Sequence, residues 1–457
     1  MPWSVLQQRG RVELTAADRL HDRVDESSLT DAATIVYTSG TTGSPKGAVL
    51  THANIAFTVK AVTSVVSVGP PDRFLSFLPL SHIAERIVSH FGQIAAGCET
   101  WFARSLATVA EDMYRCRPTI FFAVPRIWEK LRDAIIEESE RRHRVQRMAL
   151  ARFIALGTAR ARAQAAGSPI DAFREVQWRL LNRVVGTAVR RKLGLDAARV
   201  LVSGAAPISS SLVGWFQGIG LPIGEVYGQT EDCGPATVHA PPITGSAANH
   251  VGSVGRSLPG IEVRAGSDGE ILIRGGSVSP GYWHNPSATA DLIDVDGWMH
   301  SGDLGRIDDD GYLWITGRKK DLIINAAGHN IAPQPIETRL GNEPLILSAV
   351  VVGDRHPYLA ALITLDPQQL AGWAERHHKR FDLEALAQDP DVHAAVDEAI
   401  QRVNAEVARV EGIKRFRILP APFAAATGEL TPTLKVKRNV VIAKYSALVD
   451  EMYADEG

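Results

Sequence analysis

Cysteine is scarce. The 457 residues hold three, Cys98, Cys116 and Cys233, widely spaced and forming no CxxC pair. That usage argues against a disulfide framework and against a cysteine-held zinc, and it suits a reducing compartment. An excess of charge of one sign is missing too. The net charge is −2, so nothing in the chain as a whole points to nucleic acid. Long apolar runs are also lacking. None approaches the roughly 18 residues of a membrane-spanning helix, and the opening MPWSVLQQRGRVEL lacks the charged-then-apolar order of a signal peptide. The expected location is cytoplasmic, with peripheral contact at the inner face of the membrane as the alternative. What remains is an ordinary globular composition, 45% hydrophobic and 22% charged, in a chain long enough for two or three domains.

The informative stretch is Tyr37–Gly47, YTSGTTGSPKG, which follows a β-like run at Thr34–Tyr37. Gly40, Gly43 and Gly47 let the backbone turn and approach a bulky ligand without a Cβ in the way. Thr38, Ser39, Thr41, Thr42 and Ser44 offer hydroxyls, and loop N–H groups can form an anion-binding nest. Lys46 adds a cation. These are the parts of a polyphosphate site. The Walker A loop, G-x-x-x-x-G-K-[ST], is the obvious comparison. Here Pro45 precedes the lysine and Gly47 follows it, so that motif's magnesium-binding hydroxyl is absent. The full string resembles instead the signature loop of the adenylate-forming enzymes, which include acyl-CoA ligases, luciferases and peptide-synthetase adenylation domains.

Later segments extend the resemblance in the family's order. Residues 1–33 read as polar and irregular. Phe74–Leu78 reads as a strand and is followed by Pro79-Leu-Ser-His82, where the family carries a PL-x-H segment beside its acyl and phosphate pocket. Phe121–Pro125 is a further strand, and Val124–Lys130, VPRIWEK, resembles a segment of long-chain fatty acid–CoA ligases. Residues 126–199 hold 17 Lys/Arg against eight Asp/Glu, a net of +9 that leaves −11 for the rest. With few breakers and no strand pattern, they predict two or three helices. This is either a solvated insertion or a basic amphipathic surface for anionic lipid or for acyl and CoA anions. The strand at Arg199–Ser203 runs into Gly204-Ala205-Ala206-Pro207, where the family's GAP-type turn takes adenine. Next, Tyr227-Gly228-Gln229-Thr230-Glu231 suits a stacking surface, a turn, a phosphate donor and a metal ligand. Gly252–Gly317 alternates with period two and predicts a small antiparallel barrel or sheet. Within it, Asp303 follows Ser301-Gly302 as in the family segment whose Asp holds the ribose hydroxyls.

Gly317-Arg318-Lys319-Lys320-Asp321 opens a separate C-terminal region. By resemblance Arg318 reaches the ribose and Lys320 is a hinge. Strands at Leu322–Ile324, Ala349–Val352 and Ala360–Leu365, two helical stretches to Val410 and a tail are expected. The closing motif, T-x-x-x-K-[apolar]-x-R, selects Lys435, with Arg438 completing it and Lys437 close by. Gly328 is expected to line a tunnel for CoA.

The resemblance spans about residues 30–445 and implies an α/β fold. A large region of layered α/β subdomains, residues 1–317, carries a helical insertion over about 126–199 and a small β-barrel over about 252–317. A small mobile α+β lid domain, residues 318–457, follows. The implied activity is ATP-dependent conversion of a long-chain fatty acid to acyl-AMP and then to acyl-CoA. Catalysis falls to Lys435, Glu231, Thr41 and His82, with Mg²⁺ on Thr41 and Glu231. Nucleotide falls to Thr38, Ser39, Gly40, Thr41, Thr42, Gly43, Lys46, Gly204, Ala205, Ala206, Tyr227, Gly228, Gln229, Thr230, Asp303, Arg318 and Lys435. The expected partners are fatty acid, ATP and CoA and no nucleic acid, with membrane contact and a homodimer left open. Only 36 residues precede the signature loop, where the family carries a longer segment, so a shortened N-terminal subdomain is expected. The alternatives are an acyl-AMP ligase serving a carrier protein and a non-catalytic nucleotide-binding relative.

Overall fold

The computed structural model describes residues 3–13, 24, 26–38, 45–239, 250–431 and 435–454. Its centre is a sheet of three short parallel strands, Ile120–Ala123, Val200–Ser203 and Ile223–Gln229, extended by antiparallel Gly234–His239 and Arg256–Ser257. Both faces of the parallel strands are covered, which is why they read as unbroken apolar runs. On one face Phe121, Trp128 and Phe216 are fully buried, and their rings meet edge to face at 5.4 and 5.3 Å. On the other face Phe122, Val202 and Val226 line an apolar cavity of about 130 Å³.

The glycine- and hydroxyl-rich string is the connection of a hairpin. Ala32–Thr38 pairs antiparallel with Lys46–Thr51, placing Thr38 opposite Lys46, and Gly281–Tyr282 adds a third strand. The strand at Lys46–Thr51 was not expected from the sequence, since its glycine and single apolar pair give no period-two signal. Helix His52–Val65 follows directly, its start closed by a reciprocal Thr51–Asn54 capping box. At the front of the chain, Trp3–Glu13 is a helix rather than irregular. Leu, Gln, Arg and Glu favour helix there, although no apolar stripe announces it.

The basic region forms three helical rods: Pro125–Glu140, Arg144–Ala165, and Ala172–Leu181 running through a π-turn at Asn182–Gly186 into Thr187–Leu193. The Gly-rich region takes the sheet form of the two expected. Ile261–Ala265, Glu270–Gly275, Met299–Ile307 and Leu313–Arg318 lie in that order, and the outer two do not pair among the described residues. Asp303 therefore sits in a strand, not on a surface turn.

Beyond Arg318, strands Ile346–Val352 and Leu359–Leu365 pair antiparallel, and Ile413–Ile418 joins the second in parallel. Alternate residues face two cores: Val351, Ala361 and Ile363 on one side, Val350, Ala360 and Leu362 on the other. Asp366 and Asp389 cap helices Pro367–Arg376 and Pro390–Asn404, each with Pro in its first turn. The expected tail is instead a strand and two helices, Arg438–Lys444 and Ser446–Tyr453. Lys414, Arg415 and Arg417 hide the strand, because only its two ends, Ile413 and Ile418, are buried.

Trp128 lies at the centre of the aromatic cluster. Trp128→Ala is expected to lower unfolding stability by about 3–5 kcal/mol, read as a shift in the urea midpoint at unchanged slope. A loss below about 1 kcal/mol, the ordinary effect of a surface change, would show that the cluster does not carry the core.

Candidate active site

The carboxylate of Asp303 gathers the site. Its Oδ2 accepts from the Tyr227 hydroxyl at 2.9 Å and from Gln229 Nε2 at 2.7 Å, and its Oδ1 accepts from Arg318 Nε at 2.8 Å. Gln229 Nε2 also donates to the Ser301 carbonyl at 2.8 Å. Tyr227 and Gln229 end a strand of the central sheet, Asp303 belongs to the small sheet, and Arg318 ends the strand paired with it. A carboxylate offers about four lone-pair sites. Among the described residues three are taken, which leaves one on Oδ1 for a ligand hydroxyl.

Glu231 is buried next door, and its Oε1 accepts from the Tyr282 hydroxyl at 2.7 Å. The ring of Tyr282 carries the Lys46 ammonium 5.0 Å from its centroid. Burial, then the nearby Glu231 charge, pushes the Tyr282 phenol well up, so it stays a donor. The end of the signature string is thus tied to Glu231 through a tyrosine that sequence reasoning missed. Its only signal was a short Gly-Tyr pair facing a strand that itself went unseen. Asp232, also without an expected role, is fully buried, and its Oδ1 accepts from the Gln229 backbone N–H at 2.6 Å. Burial raises its pKa strongly. It shapes the turn that presents Gln229.

Lys435 comes from the C-terminal region. Its backbone N–H donates to Thr431 Oγ1 at 3.0 Å, and Leu430 bridges Val436. The residue keeps solvent-exposed surface, yet loss of hydration around its ammonium, then the Arg318 charge, lowers its pKa to about 8 against the pull of Asp303. His82 caps helix Ile83–Glu85, with its Nδ1 accepting from the Ala84 N–H at 3.2 Å. Burial, then the Lys435 charge, holds its imidazole down to about 4. It is neutral near pH 7, and the capping bond leaves its proton on Nε2. His82, Ala205 and Tyr227 all border the apolar cavity.

The other expected residues divide. Gly204 is buried where a Cβ would press on Val226 and Phe122, and Ala205 takes a left-handed φ of 67°. That conformation is strained for alanine and recurs at ligand sites. Ala206 and Thr230 are half-buried. Gly228 makes no turn: it lies in a strand where a Cβ would collide with the Gly234 carbonyl. Thr38 donates to the Lys46 carbonyl at 3.3 Å. Ser39, Gly40, Thr41, Thr42 and Gly43 lie outside the described residues. Lys320 is exposed, whereas Lys319 is bonded to Asp268 and Glu270 at 2.7 and 3.1 Å. Gly328 has a φ of 82° in an exposed turn with open space around it. Arg438 also lies elsewhere, paired with Glu337 at 2.6 Å.

No group of three or more His, Cys, Asp or Glu able to hold a metal occurs among the described residues. Glu231 supplies a single carboxylate with one oxygen bonded to Tyr282. That donor set fits Mg²⁺, which keeps its waters and arrives with phosphate, and does not fit a fully caged ion.

A charged cleft at the carboxyl edge of a parallel sheet, backed by an apolar cavity and faced by a lysine from a second unit, defines a two-part α/β enzyme. The chain belongs to the AMP-binding enzyme family, which matches residues 4–283, while the AMP-binding enzyme C-terminal domain matches residues 320–457. It is similar to the putative fatty-acid–CoA ligase fadD11 of Mycobacterium tuberculosis, with 40% identity over 93% of this chain and 74% of that protein. It is also similar to the long-chain-fatty-acid–CoA ligase FadD15 of Mycobacterium bovis, with 38% identity over 93% of this chain and 70% of that one. In fold it resembles o-succinylbenzoate CoA synthetase (MenE) from Bacillus subtilis in complex with the acyl-adenylate intermediate OSB-AMP. The TM-score is 0.64 at 22% identity, covering 91% of this chain and 69% of that one.

Tyr282→Phe removes the one hydroxyl seen on Glu231 and keeps the ring under Lys46. Magnesium-dependent binding of adenine nucleotide is expected to weaken about tenfold, the usual effect of losing a group that orients a metal ligand. Binding without magnesium and the melting temperature should hold. An equal loss with and without magnesium would show that Tyr282 does not act through Glu231.

Proposed function

We propose that this chain is an ATP-dependent fatty acid–CoA ligase. In the first half-reaction a fatty carboxylate oxygen attacks the α-phosphorus of ATP, forming acyl-AMP as the bond to pyrophosphate breaks. In the second, the CoA sulfur attacks the acyl carbon and AMP leaves, giving the thioester. The observation that carries the reading is that the Lys435 charge acts on His82, which borders an apolar cavity, and is itself acted on by Arg318 and Asp303. The names of the similar proteins support the same chemistry.

Each group has a physical task in this reading. The cavity takes the acyl chain and leaves the carboxylate at its mouth. Neutral His82 donates from Nε2 to a carboxylate oxygen without adding a second charge beside Lys435. Lys435, a compact cation, bridges the carboxylate and phosphate oxygens, whose mutual repulsion is the main obstacle to approach. Asp303 accepts a ribose hydroxyl on its remaining site, with Arg318 beside it, and the segment Gly204–Ala206 offers a flat backbone to adenine. Glu231, with Thr41 by resemblance, would hold Mg²⁺, which supplies charge neutralisation at the phosphates.

We divide the chain at about residue 317. Lys320 is placed as the pivot that withdraws Lys435 after adenylation, and Gly328 as part of the CoA path that then forms. Lys320→Pro is expected to slow thioester formation more than adenylate formation. Equal slowing of both would remove the pivot role.

Pyrophosphate release measured for acids from acetate to arachidate, with and without CoA, tests the activity. Long-chain acids should drive release, and CoA should be needed for thioester. ATP binding by calorimetry without acid-dependent release would overturn the reading. Lys435→Ala should slow adenylation about 10²–10³-fold, as for loss of one charge-stabilising donor. The protonated lysine is the working form, and its pKa is lowered to about 8. Its charge is therefore full below that pH and lost as pH rises through it. The kcat/KM for adenylation should fall above pH of about 8, and Lys435→Arg should remove that limb because arginine stays charged. A limb unchanged in Lys435→Arg would assign it to another group.

A further inference from the structure

Helix Ala172–Leu181 and its continuation to Leu193 carry two apolar stripes. Trp178, Leu181, Val185 and Val189, spaced by three or four residues, pack against the central core. Phe173, Val176, Leu180 and Val184 repeat the same spacing on another side, and each is 55% to 72% exposed. At 1.5 Å per residue this second stripe runs about 16 Å along the helix. A helix needs one apolar stripe to join a fold, so the second stripe has no task in the core. Val145 and Met148, one turn apart and both exposed, open the neighbouring helix Arg144–Ala165. The two helices pack together through Arg160–Glu175 at 2.9 Å and Arg152–Gln177 at 2.8 Å.

The charges on this pair are one-sided. Residues 144–165 contain five Arg and no acid, and residues 172–193 contain six Lys/Arg and one acid, Glu175. That acid is already shared by Arg160 and Arg179, at 2.9 Å each. Arg174 and Arg183, which are exposed, make no ion pair among the described residues. Helix Pro125–Glu140 takes up one of these cations, Lys192, which pairs with its Glu138 at 2.6 Å, while its Glu137 is held by Arg141. The exposed apolar stripe is thus flanked by more cations than the neighbouring acids neutralise, Arg174 and Arg183 among them.

We propose that this helix pair docks on the surface of an anionic phospholipid bilayer. The second stripe lies in the headgroup–acyl boundary, and the arginines face lipid phosphates. Each half suits the other: apolar side chains alone would also fit a protein partner, and arginines alone any polyanion, but an amphipathic helix with both sits at a charged interface. Docking does not depend on catalysis, so its failure leaves the ligase reading untouched.

The test is co-sedimentation of the full chain with phosphatidylcholine vesicles, with and without phosphatidylglycerol, at low and high salt. Wild-type protein should bind the anionic vesicles at least about tenfold better, and salt should weaken that binding. Phe173→Ser with Leu180→Ser should reduce binding about tenfold while pyrophosphate release with a water-soluble acid stays at the wild-type rate. Arg174→Glu with Arg183→Glu should do the same by the charge route. Equal binding to neutral and anionic vesicles overturns the proposal. So does salt-sensitive binding that Phe173→Ser with Leu180→Ser leaves unchanged, which would mark a face for acidic macromolecules. A dimer in ultracentrifugation that this same variant converts to monomer overturns it too, by assigning the stripe to a second copy.

Discussion

The Asp303 carboxylate is the joint on which the structure depends. It is buried, and a buried charge is tolerated only when donors replace its lost water. Three donors do so, and they come from different parts of the chain: Tyr227 and Gln229 from the central sheet, and Arg318 from the boundary of the C-terminal unit. The bond to Arg318 is charge-assisted and the strongest of the three in kind. One carboxylate therefore ties the central sheet, through Tyr227 and Gln229, to Arg318 at the end of the small sheet.

The second organising feature is uncompensated positive charge. Lys435 and Arg318 share the acidic neighbour Asp303, and the pKa of Lys435 is lowered by loss of hydration first and by the Arg318 charge second. A site whose cation is strained when empty gains free energy on receiving an anion. His82 lies at the boundary and is held neutral by burial and by Lys435. On one side of it the walls are apolar, and on the other they are charged. A ligand with an apolar body and an anionic head matches that division.

Some unusual residues have a purely local cause. Gly228 is glycine because a neighbouring carbonyl occupies the space of a Cβ. Arg438 is arginine because Glu337 and the Val351 carbonyl need a buried donor. Neither residue can be sorted into site or scaffold by its type, since arginine and glycine serve both.

What the sequence determined alone was the chemistry and its order. The string around Lys46 could be read by itself as a polyphosphate loop distinct from Walker A, whereas the Tyr227–Glu231 segment, Asp303 and Lys435 were singled out by their match, in order, to the segments of the family the chain resembles. The apolar runs at Phe121 and Val200 could be read as strands; that they pair in parallel and are covered on both faces came from the structure. The tertiary structure alone decided which of these residues meet. Contacts such as Tyr282 on Glu231, His82 beside Lys435 and Arg438 on Glu337 join residues 51 to more than 300 positions apart. No local period or propensity carries such information. It also decided that Ile413–Ile418 is a strand, where the pairing edge of Leu359–Leu365 outweighs three cations, and that one helix keeps an apolar stripe facing out. Local spacing encodes what a residue can do; burial and long-range pairing settle what it does.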